Sequence, residues 1–196
     1  MIKEKMLVLA VTVFTVFMPC HAQFRFLNTS SDFRVAFEKI MLDYCNHFAN
    51  LKGEVVINNP QSSEYESIIK LPGAEECTIV EIQSKDHLTT AWQALILSTG
   101  EYETAAKKYK QLYSQLYNAT VRIDKSGKQL TIKGEMDKPE AEKKIVSTLF
   151  SLTPETAISE KIAIELSMAY ELMEWKIRIS IYDKDEYDET AFENDN

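Results

Sequence analysis

Glycine is scarce in this chain. The 196 residues include five, dispersed between Gly53 and Gly134, so no glycine-rich loop exists to wrap a phosphate with backbone N–H groups. Histidine and cysteine are rarer still, three of each. Cys45 and His47 stand two positions apart on an expected helix, where they point about 200° apart and cannot share one ion. His21 belongs to the N-terminal leader described below, and His87 lies in a polar stretch without a second histidine nearby. No metal and no cofactor is expected. Basic residues are few: 22 Lys and Arg against 30 Asp and Glu, a net charge of −8. They are scattered, and phosphate binding needs a clustered basic face, so nucleic acid is excluded as a partner.

Catalytic signatures are missing too. There is no G-x-S-x-G elbow, H-E-x-x-H pair or Walker sequence. Ser84, Asp86 and His87 are the letters of a triad, but a triad is a spatial arrangement that three neighbours on a loop rarely achieve. Glu54, Glu64, Glu66, Glu75, Glu76 and Glu81 offer carboxylates without marking out a pair for acid–base work.

What is present begins at the N-terminus. Lys3 and Lys5 precede an apolar run from Met6 to Met18, and Cys20-His21-Ala22 follows with small residues at −3 and −1 of a cut before Gln23. These are the three parts of a secretory signal, expected over residues 1–22. The run is short for a bilayer span, and no later stretch approaches the roughly twenty apolar residues a transmembrane helix needs. Lipoprotein anchoring through Cys20 is disfavoured, because Pro19 stands where a small residue is expected. The expected location is therefore exported, periplasmic or extracellular. In such a compartment Cys45 and Cys77 form either a disulfide or two buried free thiols.

The mature chain alternates helix and strand signals. Phe33, Phe37, Ile40, Met41, Tyr44, Phe48 and Leu51 share one helical face, predicting a helix over 31–51. Strand-like runs follow at 54–57, 65–71, 77–83 and 91–98, parted by Asn58-Asn59-Pro60, Pro72-Gly73 and a polar loop at 84–87. A second helix is predicted over 101–118, with Ser98-Thr99-Gly100-Glu101 fitting a capping box. Further strands are predicted at 120–123, 130–134, 144–152, 161–170 and 175–182, the first two joined by a hairpin loop with Gly127 left-handed. The connections are too short for parallel crossovers, so the strands should be antiparallel.

The spacing Ser84 to Trp92 repeats as Ser167 to Trp175, with acidic, tyrosine-bearing stretches after each. This echo suggests a duplicated supersecondary unit. The expected fold class is α+β: two consecutive helix-plus-antiparallel-meander units, 23–100 and 101–182, with helices packed as a layer on sheet and sharing a core. Residues 183–196 carry seven acids against Lys184 and read as a solvated, flexible tail. Their spacing lacks the glycine and bidentate glutamate of an EF-hand.

Aromatics supply the candidate binding residues. Tyr102, Tyr109 and Tyr113 form a helical stripe with apolar bodies and polar tips, which either lines a pocket or packs on a sheet. Trp92 and Trp175 either anchor a recognition surface or sit in the core. The expectation is an exported, non-catalytic binding module for a protein segment or a small apolar ligand. Two alternatives stay open: a secreted hydrolase with a non-local site near Asp86 and His87, and an acidic inhibitor or immunity-type protein masking a basic partner.

Overall fold

The computed structural model describes residues 29–83 and 87–185. The leader with Cys20, the loop residues Ser84 and Asp86, and the acidic tail from residue 186 lie outside the described residues. Helix α1 spans Thr29–Asp43. Four strands follow: β1 Lys52–Asn58, β2 Ser62–Ser67, β3 Glu76–Gln83 and β4 Leu88–Thr99. Helix α2 spans Tyr102–Leu116. Five more strands complete the chain: β5 Thr120–Val121, β6 Leu130–Lys133, β7 Ile145–Thr153, β8 Ile162–Glu171 and β9 Glu174–Asp183.

The nine strands form one antiparallel sheet in the order β1-β2-β3-β4-β9-β8-β7-β6-β5. This overturns the expected fold class. The two stretches 23–100 and 101–182 do not make separate helix-plus-meander units; the protein is mainly one nine-stranded sheet with only two α-helices among its described residues. The physical reason is the pairing of β4 with β9. Each is long, 12 and 10 residues, and each would otherwise expose a row of unpaired N–H and C=O groups. Pairing them from Ala91↔Tyr182 to Thr99↔Trp175 removes both edges and makes one sheet.

Side chains cross this sheet in register. Tyr65, Ile79, Trp92, Ile181, Ile164 and Phe150 are successive cross-strand partners from β2 to β7. Alternation puts them on one face: Val146, Thr148, Phe150 and Leu152 are buried along β7 while Ile145, Ser147, Leu149 and Ser151 are exposed. Helix α2 lies against β4, β8 and β9, burying Ala105, Ala106, Tyr109, Leu112 and Leu116. From α1, Phe33, Phe37, Ile40 and Met41 join the same apolar cluster. Fully burying each large apolar side chain is worth about 1.5–3 kcal/mol, so this single core dominates the stability.

Helix α1 ends eight residues earlier than its apolar period predicts. Beyond Asp43 the chain makes two short 3-10 turns, Tyr44–Asn46 and Ala49–Leu51, with His47 and Phe48 between them in the left-handed region at φ 49° and 56°. The Asp43-Tyr44-Cys45-Asn46-His47 run is poor in helix formers. The Asp43 carboxylate accepts from the Asn50 N–H at 3.1 Å and from Asn50 Nδ2 at 2.7 Å, which clamps the turn. Phe48 and Leu51 still reach the core, so the period persisted where the helix did not. The predicted capping box also does not form: Ser98 Oγ donates to Glu174 Oε2 at 2.5 Å instead of capping α2.

Candidate functional site

The site is built where the turn after α1 meets the far ends of β4 and β9. Tyr44, Cys45, His47 and Phe48 come from the turn, Thr90 from β4, Ala157, Ile158 and Lys161 from the β7–β8 connection, and Asp183 from the end of β9. They enclose a cavity of about 460 Å³, a size that accepts a small organic ligand. Another cavity of the same volume lies at the β1–β2 turn. Its walls are mostly polar, with Asn58, Asn59, Gln61, Ser62, Ser63, Glu81 and Gln83 beside Pro60 and Leu88, and its polar groups partly satisfy one another, as in the 3.2 Å bond from Ser63 Oγ to Asn58. The first cavity differs in having Phe48, Ala157 and Ile158 among its walls and the unsatisfied Thr90 hydroxyl buried in one of them.

That atom is Thr90 Oγ1. Thr90 is 3% exposed, and its hydroxyl is the single buried side-chain polar atom without a hydrogen-bond partner among the described residues. A buried hydroxyl without a partner costs about 1–3 kcal/mol. The neighbouring polar groups are already engaged. Tyr44 donates its hydroxyl to Asp183 Oδ2 at 2.9 Å. The other oxygen of Asp183 accepts the Asp185 N–H at 3.0 Å. Lys161 Nζ lies 3.2 Å from Asp185 Oδ2.

Backbone strain is concentrated at the same wall. Two consecutive non-glycine residues with positive φ are uncommon, and a phenylalanine there is a true outlier. Phe48 is held by its N–H to the Asp43 carbonyl at 3.1 Å and by its own carbonyl, which accepts from Leu51 N at 2.9 Å. Burial of its ring, 1% exposed, offsets the strain. Strained backbone of this kind gathers at ligand sites.

The Cys45 thiol in the cavity wall is not activated as a nucleophile. The Cys45 thiol is pushed above its ordinary pKa, first by loss of hydration and then by the Asp124 carboxylate. It donates to the Ile123 carbonyl at 3.6 Å, whereas a reactive thiol needs a lowered pKa. Among the described residues no cluster of three or more His, Cys, Asp or Glu is placed to hold a metal ion.

The residues singled out from the sequence lie elsewhere. Trp92 is fully buried and donates Nε1–H to Ser67 Oγ at 3.0 Å. Tyr109 is fully buried with its hydroxyl 2.7 Å from Thr148 Oγ1. Tyr113 donates to the Gly134 carbonyl at 2.9 Å and stacks on Tyr117 at 5.4 Å. Tyr102 meets the buried Trp175 edge-on at 5.4 Å. All five belong to the core or pack against it, and none lines the cavity. Cys45 and Cys77 are free thiols: Cys45 is exposed, while Cys77 is buried with its sulfur accepting the Leu71 N–H at 3.4 Å. His87 is exposed.

Tyr44, His47, Phe48, Thr90, Ile158, Lys161 and Asp183 were not evident from the sequence as a site. They come from four separate segments, and reading the turn as continuous helix hid the first three. The low helix propensity of residues 43–47 was the signal that could have exposed that turn. No helix among the described residues is long and apolar enough to cross a membrane. Compared with protein-family models, with curated proteins and with solved structures, the chain matches none.

Proposed function

We propose that this protein is an exported, non-catalytic binding module whose cavity beside Thr90 takes a small apolar molecule carrying one hydrogen-bond donor. The observation that carries the reading is the unsatisfied Thr90 hydroxyl, buried in a wall that also carries Phe48, Ala157, Ile158 and the Asp183 carboxylate. Phe48, Ala157 and Ile158 supply dispersion and desolvation for the ligand body. Thr90 Oγ1 and the Asp183 carboxylate are acceptors for its donor, and the carboxylate disfavours an anionic head group. Export rests on the three-part leader in residues 1–22.

The test compares 4-propylphenol with propylbenzene, which lacks the hydroxyl, by titration calorimetry and NMR on the mature chain. The phenol should bind more tightly and perturb Phe48, Thr90 and Ile158. Thr90→Val should weaken it by about tenfold, the worth of one hydrogen bond, and should stabilise the ligand-free protein by about 1 kcal/mol because the orphan hydroxyl is gone. Ile158→Trp should block both compounds by filling the mouth. Equal binding of both probes to the wild type and to Ile158→Trp would sink the reading.

A further inference from the structure

The three most exposed large hydrophobic side chains among the described residues stand at one end of the sheet. Leu172 is 88% exposed, Met173 81% and Ile145 71%. Leu172 and Met173 form the turn between β8 and β9, closed by the Glu171↔Glu174 pair. Ile145 opens β7 and pairs with Ala169, three residues before the turn. The cavity lies at the opposite end of β9, beside Asp183, so the two features are independent.

The turn is strained as well as apolar. Leu172 and Met173 have φ of 50° and 70°. A two-residue hairpin turn with positive φ at both positions is made with least strain by Asn-Gly. Leucine and methionine are held there against the sterics of their own Cβ atoms. They are not repaid by burial, since both face water. Strain combined with exposure marks a tip whose favourable contacts lie outside the chain.

The base of the tip is an aromatic cluster. Tyr170 and Tyr102 flank the buried Trp175, with ring centroids 5.1 Å and 5.4 Å away. Charged groups of both signs surround it, with carboxylates in excess. Glu171 is paired with Arg178 at 2.9 Å and 2.8 Å and with Lys176 at 3.9 Å. Glu174 accepts from Ser98 Oγ and Glu75 from the Ser98 N–H at 3.0 Å; neither has a cationic partner among the described residues. Glu103, Glu142 and Glu140 are near enough to add to the desolvation that raises the Tyr102 pKa. Glu140 pairs with Lys143 at 3.3 Å, and Lys144 Nζ lies 6.0 Å from the Tyr170 ring centre.

We propose that this tip docks into a partner protein, with Leu172 and Met173 entering an apolar pocket whose rim is basic. Charge selects the occupant. An anionic bilayer or a second copy of this acidic chain would set carboxylate against like charge, whereas a basic rim complements Glu75 and Glu174. Two apolar side chains in a pocket, ringed by ion pairs, are the arrangement that concentrates binding energy at a protein interface.

The experiment places a photo-crosslinking phenylalanine analogue at Leu172, and at Lys110 as a control, in the full chain within the cells that make it. The protein crosslinked at Leu172 is purified and titrated against the wild type and against the double variant Leu172→Asn with Met173→Gly. That variant relaxes the turn, and thermal unfolding confirms that it is folded. The expected result is one partner bound by the wild type, with affinity about tenfold or more lower for the double variant and falling as salt rises. Crosslinks at Leu172 only to lipid, to a second copy or to nothing beyond the Lys110 background would overturn the proposal. Equal affinity for both forms would also overturn it.

Discussion

The Tyr44 hydroxyl donates to Asp183 Oδ2 at 2.9 Å, joining residues 139 positions apart in the chain. One partner closes the turn after α1, and the other ends the strand that completes the sheet. The bond therefore ties the mouth of the cavity to both ends of the described fold.

Tyr44→Phe keeps the ring and removes this bond. The Asp183 carboxylate retains the Asp185 N–H and is only partly buried, so the loss should be about 1 kcal/mol, the net worth of one hydrogen bond. Urea unfolding measures it. A midpoint identical to the wild type would mean that the bond contributes nothing in solution.

Tyr109 predicts a change at alkaline pH. Burial pushes its pKa up from 10.0 to about 12, with the Thr148 hydroxyl opposing. Below pH 10 the group is protonated in both the folded and the unfolded chain. Between pH 10 and about 12 the unfolded chain releases the proton while the folded protein keeps it. Stability should therefore fall as pH rises through this window. The slope for the wild type should exceed that for Tyr109→Phe, which cannot titrate there; superimposable slopes would contradict the burial effect. At neutral pH the same substitution should cost about 1 kcal/mol for the lost hydrogen bond.

The cysteines predict a difference in alkylation. Without reductant, Cys45 should react and Cys77 should stay protected until unfolding, because Cys45 is exposed and Cys77 is buried. Both thiols have raised pKa values, Cys45 and Cys77 alike chiefly through desolvation, so even Cys45 should label slowly at pH 7. Mass spectrometry counts the adducts. A denatured, unreduced chain that takes up no alkylating agent would instead identify a Cys45–Cys77 bridge.

All nine strands and helix α2 stand within a few residues of where periodicity and turn chemistry place them, whereas helix α1 stops eight residues short. Trp175, Ile177, Ile179 and Ile181 alternate along β9 and are buried as their spacing implies. Gly127 takes its left-handed turn position at φ 80°. The errors lie where local signals compete with distant partners. Ser98 fits a capping box locally, but Glu174, 76 residues away, takes its hydroxyl. The face through Tyr44 and Phe48 reads as helix because both a helix and a pair of tight turns can turn those rings inward.

The sequence by itself determined the elements, because hydrophobic period and breaker residues act over a handful of neighbours. It also determined the negative charge, the leader pattern and the lack of any local catalytic signature. Only the tertiary structure decided that β4 would pair with β9 and make one sheet, since strand pairing depends on backbone hydrogen bonds between segments with no local mark of their partner. Tertiary structure likewise decided that the conspicuous aromatics would be core. It left a threonine hydroxyl unpaired in a cavity and two apolar side chains on a strained tip. Those features arise from residues brought together across the whole chain, and no window of sequence contains them.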